Sequence, residues 1–436
     1  MKILLIGNGA REHIIAEKLK ASPKCTELIV FANKVNPGIE SLASIYHVGA
    51  LDDMDAIKQF AEENNPDFAF VGPDNPIADG AVNVIESVGI PAVAPHKEVA
   101  QLESSKSFTR ELILKYDIPG NPIFKTFESE NGMEDFANKL EEFVVKSDGL
   151  TGGKGVWVMG DHFKTIDEGI ELAKKCVEKD GRVVIEEKFI GQEFSLMSFV
   201  DGENVVDMPP IQDHKRAFED DKGPNTGGMG TYSYPENLPF LKQSDLDGAH
   251  EISVLTAKAL KKELGRPFKG IMYGGFIAVK NGVRLIEYNA RFGDPEAMNA
   301  LILLETDFVD ICLAIIDGTL DQLDIKFSKK ATVCKYAVPE GYPTNPKKGE
   351  RINVGDLPDG VKMYYASVNK NEDGLVMSGS RALAFVSKAD TIEEAEQLTQ
   401  KAVESVNGAV FYRKDIGTQP LIQKRIDMMR DLRYNI

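Results

Sequence analysis

Val144–Val158 reads V-V-K-S-D-G-L-T-G-G-K-G-V-W-V. An apolar run delivers a lysine, a loop with four glycines carries a second lysine, and the chain returns to an apolar run. This pattern predicts a β-hairpin with a flexible, cationic tip. Glycine removes the Cβ atoms that keep backbone away from a ligand. Bare N–H groups and the ammonium groups of Lys146 and Lys154 can then close over a polyphosphate. An ordinary glycine-rich turn also satisfies the stretch taken alone, so the rest of the chain decides.

On the N-terminal side, residues 1–103 alternate strand and helix patterns. Lys2–Ile6, Glu27–Phe31, Phe68–Val71 and Ala92–Ala94 read as strands, and Arg11–Leu19, Asp52–Asn64 and Ala78–Val88 as helices. Such alternation predicts a parallel sheet covered on both faces. A helix over Ser104–Tyr116 leads into a small α+β unit, 104–193, that holds the hairpin, a helix over Asp167–Lys179 and a strand over Val183–Glu187. Residues 194–325 carry strands at Ser195–Val200, Gly274–Val279 and Val283–Tyr288, with helices at Asp247–Leu264 and Asn299–Asp317. Residues 326–436 open with a strand at Ala331–Ala337, are rich in turns, and close with a helix over Gln419–Leu432. The expected fold class is multidomain α/β and α+β: an N-terminal parallel-sheet domain, a two-part core and a β-rich α+β C-terminal domain.

Composition narrows the function. Of 436 residues, 42% are hydrophobic and 27% charged, the balance of an ordinary globular protein. A formal net charge of −17 argues against general nucleic-acid or anionic-membrane binding, yet permits a local basic pocket. Four scattered cysteines suit neither a disulfide frame nor a zinc site. The apolar run at Met1–Gly7 is too short for a signal peptide, and no run spans a bilayer, so a cytoplasmic address is expected.

Further motifs sharpen the chemistry. In Gly7–His13, G-N-G-A-R-E-H, glycines open a helix after the first strand and can form an anion site. Glu12 stands where a dinucleotide fingerprint has its third glycine, which favours a single phosphate or phosphosugar over a nicotinamide cofactor. Asp74, in the strand-end loop V-G-P-D-N-P, is placed to hold a sugar hydroxyl or an amine. Lys106 opens a helix where a cation opposes the dipole; a bound anion reconciles the two. With Lys146 and Lys154 it can neutralise most of a triphosphate. In Val183–Glu193 an exposed backbone segment can pair with an adenine edge and Glu193 can accept ribose hydroxyl protons. Asp213, His214, Lys215 and Arg216, followed by K-G-P-N-T-G-G-M-G, are too charged for a core and bring flexible backbone toward a small substrate. In L-I-E-Y-N-A-R-F-G-D-P-E, Glu287, Asn289 and Arg291 share one face of a strand. Their hard oxygens suit Mg²⁺, and the arginine suits a transferring phosphoryl group.

Taken in order, G-N-G-A-R-E-H, V-G-P-D-N-P, V-V-K-S-D-G-L-T-G-G-K-G-V, Q-D-H-K-R, G-P-N-T-G-G-M-G, E-Y-N-A-R-F-G-D-P-E and F-Y-R-K-D-I-G cover essentially the whole chain. This set resembles the phosphoribosylamine–glycine ligase (glycinamide ribonucleotide synthetase) family of the ATP-grasp superfamily. The resemblance implies an ATP-dependent ligation of glycine to 5-phosphoribosylamine in de novo purine synthesis, through glycyl phosphate, with Mg²⁺ or Mn²⁺. By the same resemblance Lys106, Lys146 and the lid residues Gly152, Gly153, Lys154 and Gly155 hold ATP phosphates. Glu186, Glu187, Phe189 and Glu193 frame adenosine, and Glu287 and Asn289 bind the metal. Arg291, Lys215 and Asp294 act in catalysis, and Gly9, Asp74, Asp213, Asn225, Gly227 and Gly228 contribute to substrate binding. The chain departs from the family pattern at Ser147, Thr151 and Gly152, at Asp74 where glutamate is usual, and at Ser380. Another ATP-grasp carboxylate–amine ligase, or a carboxylase of purine synthesis, is the alternative within enzymes; a non-catalytic nucleotide binder is the alternative outside them. Monomer and dimer both remain open.

Overall fold

Ile3, Leu4, Leu5 and Ile6 are all fully buried, so the first strand has no solvent face and needs cover on both sides. The computed structural model, which describes residues 1–372 and 374–434, supplies it. Strand Lys2–Ile6 is the centre of a five-stranded parallel sheet in the order 45–48, 27–32, 2–6, 68–71, 92–93. The helix expected over Ala78–Val88 is instead two, Asp74–Asp79 and Ala81–Glu86, parted at Gly80. Its φ of +102° is a left-handed conformation that ends one helix and turns the chain into the next.

The glycine loop does form a hairpin. Strands Phe143–Ser147 and Val156–Val158 pair antiparallel, with Val144 opposite Val158 and Lys146 opposite Val156. They belong to a four-stranded sheet in the order 124–127, 183–187, 143–147, 156–158. Phe127, Phe143, Val145, Phe163 and Ile185 give this sheet and its helices a hydrophobic core of their own. The connecting helix is Lys106–Lys115; Ser105 caps it by accepting a 3.2 Å hydrogen bond from Phe108 N, which separates it from a short helix at Gln101–Ser104.

A second antiparallel sheet, 205–207, 192–200, 270–278, 283–289, faces the first across a cleft and is backed by helix Gln243–Leu264. The helix expected over Asn299–Asp317 is broken into Glu296–Leu303 and Phe308–Asp317. Asp307 causes the break by accepting from Val309 N at 2.8 Å, an N-cap embedded in an otherwise continuous helical pattern. Strands 212–213 and 230–233 pair onward with 331–339, 383–389 and 361–365, so this sheet takes strands from both sides of residue 325. Helix Gln419–Tyr434 then returns to the central sheet, where Arg433 Nε donates to Val279 O at 3.1 Å. One hydrophobic core runs through the first domain, the central sheet and the large C-terminal sheet. Among the described residues no helix is long and apolar enough to cross a membrane.

His13 pins the first domain to the C-terminal sheet. Its Nδ1 accepts from Tyr365 N at 3.1 Å, and its ring lies against Tyr364 and Tyr365. Burial lowers its pKa from 6.5 to about 4, against the attraction of Glu17 and with repulsion from Lys362. The folded value lies below the unfolded one, so the unfolded chain binds the extra proton between about pH 6.5 and 4. Stability present at pH 7 is therefore lost as the pH falls through that window. His13→Gln is expected to flatten the fall of Tm between pH 7 and 4.5 in thermal unfolding. Parallel Tm profiles for parent and variant would reject the assignment.

Candidate active site

The two antiparallel sheets enclose a cavity of about 670 Å³. Lys106, Lys146, Gly152, Gly153, Glu186, Glu187, Phe189, Glu193, Asp213, Lys215, Asn225, Gly227, Glu287, Asn289, Arg291, Asp294 and Asp74 all line it. Residues from every region singled out in the sequence before residue 326 thus converge on one space. Four residues lie elsewhere. Lys154 is exposed on the hairpin tip, outside the lining, and Gly155 is buried beneath Thr151, where a Cβ would come within 2.5 Å of its Oγ1. Gly228 sits behind the wall, since a Cβ there would meet Pro295 and Asp213. Gly9 lines a second, smaller cavity.

The lid is set by backbone conformation. Gly149, Gly152 and Gly153 have φ of +157°, +58° and +79°. Lys106 Nζ donates to Gly149 O at 2.6 Å, and Asp148 accepts from Ser107 N and Oγ at 3.1 and 2.6 Å. Asp148 thereby supplies an anion at the helix N-terminus that Lys106 would otherwise oppose.

Below the lid is a buried ion network. Glu186 accepts from Arg110 Nε at 2.8 Å and Nη2 at 3.1 Å, and pairs with Lys146 Nζ at 2.5 Å. Lys146 also donates to Ile286 O at 2.7 Å. Both Glu186 oxygens are thus engaged within the protein, and its carboxylate orients Lys146. Burial alone would raise the Glu186 pKa, but Arg110 and Lys146 outweigh it and hold the group down. Burial draws the Lys146 ammonium below the usual lysine range, with Glu186 restraining it.

Strand Val283–Asn289 brings Glu287 and Asn289 to the cavity, whereas Arg291 has left the strand and reaches it from the following bend. The expectation of one strand face for all three is corrected here: the strand stops at Asn289, where Glu103 accepts from Ala290 N at 2.7 Å. Arg291 pairs with Glu103 at 2.9 Å and donates to Asn289 Oδ1 at 3.1 Å, while its buried Nε has no partner among the described residues. Lys215 Nζ lies 3.5 Å from Glu287 Oε1. Burial opposes ionisation of Glu287, yet Lys215, Lys106, Lys146 and Arg291 bring its pKa to about 2. The same carboxylate, with Glu193 and Asp213, outweighs burial and pushes the Lys215 pKa upward. Asp213 moves upward through burial and repulsion from Glu296.

Glu287 and Asn289 offer hard oxygens of the kind a divalent cation takes. Among the described residues no group of three or more His, Cys, Asp or Glu side chains forms a closed metal site. An open, two-ligand site fits a magnesium-like ion that keeps its other positions for phosphate oxygens and water.

At the first-domain end Glu12 closes the helix N-terminus that the sequence offered as an anion site. Its Oε2 accepts from Gly9 N at 2.7 Å, and a Cβ at Gly72 would lie 2.4 Å from Oε1. A cavity of about 250 Å³ opens beside it, lined by Asn8, Gly9, Asn33 and Lys34 on one side and Ser378, Ser380 and Arg381 on the other. Asp294 and Arg381 line both cavities. Arg381 donates to Gly227 O, Gly228 O and Asp294 O at 2.7, 3.1 and 2.8 Å, and Tyr336 OH donates to Asp294 Oδ1 at 2.6 Å. Glu103, Arg110 and Arg381 were not singled out in the sequence. Glu103 and Arg110 lie in helices of ordinary pattern and Arg381 just before strand 383–389, each far along the chain from what it touches.

A lysine-bearing hairpin sheet set across a cavity from a second antiparallel sheet that presents Glu287 and Asn289 is the layout of the ATP-grasp class. Residues 1–103 match the phosphoribosylglycinamide synthetase N domain, 104–297 its ATP-grasp (A) domain and 332–419 its C domain. The chain belongs to the phosphoribosylglycinamide synthetase family. It is 48% identical to the phosphoribosylamine–glycine ligase of Methanosarcina barkeri, covering 99% of this chain and 100% of that one. It is 47% identical to the protein of the same name from Methanocaldococcus jannaschii, again over 99% and 100%. The crystal structure of phosphoribosylamine–glycine ligase from Thermotoga maritima matches with a TM-score of 0.80 and 27% identity, over 95% of this chain and 100% of that one.

Proposed function

We propose that this chain joins glycine to 5-phosphoribosylamine with ATP, giving glycinamide ribonucleotide, ADP and phosphate, as a cytoplasmic enzyme of purine synthesis. One observation carries the reading: a lidded cavity lined by Lys106, Lys146, Lys215 and Glu287 shares the Asp294–Arg381 wall with a second polar cavity. Such a pair suits an acyl phosphate made on one side and an amine delivered from the other.

Lys106, Lys146 and the Gly152–Gly153 tip hold the triphosphate, with Glu186 fixing the direction of Lys146. Lys154 and Gly155 serve the lid's own turn. Glu187, Phe189 and Glu193 frame the adenosine. Glu287 and Asn289 would hold Mg²⁺ or Mn²⁺, which supplies charge neutralisation on phosphate oxygens when bound. Glycine lies near Lys215, Asp213, Asn225 and Gly227, and its carboxylate attacks the γ-phosphorus. The unpartnered Nε of Arg291 is free to meet charge that develops on the transferring group. Gly228 lets the wall turn close to Asp213. The smaller cavity takes the phosphosugar, with Lys34 and the Gly9 loop at one end; Asp294 and Asp74 face the amine as it attacks the acyl carbon and phosphate departs. Glycyl phosphate hydrolyses in water, so the hairpin must close before it forms. The division 1–103, 104–193, 194–325 and 326–436 then corresponds to phosphosugar domain, lid, metal-facing core and closing domain.

A coupled ADP assay with enzymatically generated phosphoribosylamine tests this. ADP release is expected only with glycine and the amine present together with ATP. Release driven by bicarbonate in place of glycine would favour a carboxylase and overturn the reading.

A further inference from the structure

Helix Gln419–Tyr434 lies beyond the matched C domain, which ends at residue 419, and none of the chemistry above uses it. It nonetheless reaches the main cavity, where Arg425 and Met428 form part of the wall. The helix is firmly seated. Leu421, Ile422 and Met429 are buried, and Arg433 pairs with the buried Asp245 at 2.8 Å. Arg425 donates to Gln192 Oε1 at 3.1 Å and pairs with Asp221 at 3.0 Å; Asp221 also pairs with the buried Arg413 at 2.9 Å. Gln192 in turn contacts the Met428 sulfur through Nε2. Met428 itself is 38% exposed, although Met429 beside it is buried.

The cavity has a direction. Lys146 and the glycine tip mark the phosphate end. Two residues back along the same strand face lies Val144, paired with Val158, and both line the cavity with Phe189, Ile277 and Met428. This apolar end suits a flat heteroaromatic base. A polarisable thioether is a favourable surface for such a ring.

We propose that the C-terminal helix is the nucleoside wall of this site: Met428 lies on the base of the bound ATP. Arg425 is a positioning residue, which holds through Gln192 the start of the strand against which base and ribose rest. The inference rests on the reading that the main cavity takes ATP.

Calorimetric titration with MgATP tests it on the full chain. Met428→Ala, at a partly exposed position, is expected to weaken ATP binding by about five- to tenfold, and Met428→Leu to recover most of the loss. Arg425→Ala is expected to do the same with partial rescue by Arg425→Lys, and the KM for ATP is expected to rise more than the KM for glycine. Inhibition by inorganic tripolyphosphate, which has no base, is expected to be alike in parent and Met428→Ala. Equal ATP affinity in parent and Met428→Ala overturns the proposal, and so does an equal loss for tripolyphosphate. A parent that binds ATP but forms no glycinamide ribonucleotide overturns the ligase reading alone. A parent that binds no ATP overturns both.

Discussion

Glu287→Ala is expected to lower kcat by roughly 10²–10³-fold or more, the scale of removing one preorganised electrostatic contact. Lys215, Lys106, Lys146 and Arg291 surround the Glu287 carboxylate and hold it ionised far below neutral pH. It is the one anionic member of the two-oxygen site; Asn289 is neutral and its Oδ1 already accepts from Arg291. Without Glu287 these cations repel a divalent ion, so saturating magnesium should not restore turnover. The side chain is 26% exposed and supports no packed core, so Tm should change by less than about 4 °C. Steady-state kinetics across a magnesium series, with thermal unfolding alongside, reads both quantities. A variant within tenfold of the parent kcat would remove Glu287 from the site.

Glu186→Ala is expected to act in the opposite sense, on stability first. It leaves Arg110 and Lys146 buried side by side without their shared carboxylate, and breaking a buried pair in this way costs about 3–5 kcal/mol. Lys146→Ala removes a cation but leaves the two-point Arg110–Glu186 pair intact. It should therefore cost much less stability while nearly abolishing turnover. Comparing the unfolding midpoints of the two variants with their kcat values decides the matter. Equal losses of Tm, or a Glu186→Ala protein as stable as the parent, would show that Glu186 does not hold Lys146 as the geometry indicates.

The contrast between Glu287 and Glu186 marks what could be read before the fold was seen. Glu287 and Asn289 sit two apart on a strand, so their shared face follows from backbone geometry alone. The hairpin was legible for the same reason, since its lysine, its glycines and its paired strands all lie within fifteen residues. The Glu186 environment was not legible. Arg110 lies 76 residues before it on a helix, and a carboxylate at a strand end reads equally well as a ligand or as a partner. Glu103 meets the backbone of Ala290 across 187 residues, which no local pattern encodes. The breaks at Gly80 and Asp307 were visible as residue types, but apolar spacing ran through both and outweighed them. Glu12 could be seen to disfavour a dinucleotide; that it would bond back to Gly9 N depended on the path of the turn.

The private interior of the hairpin sheet has a mechanical outcome. Phe127, Phe143, Phe163 and Ile185 bury one another apart from the larger core. A sheet with an interior of its own can swing as a stiff paddle. What parts in such a swing is polar, as at Lys106 to Gly149 and Lys146 to Ile286, and water can replace each link. Had the two interiors been fused, discharge of spent nucleotide would have demanded partial melting. Divided, the molecule can empty and reload while both interiors stay dry.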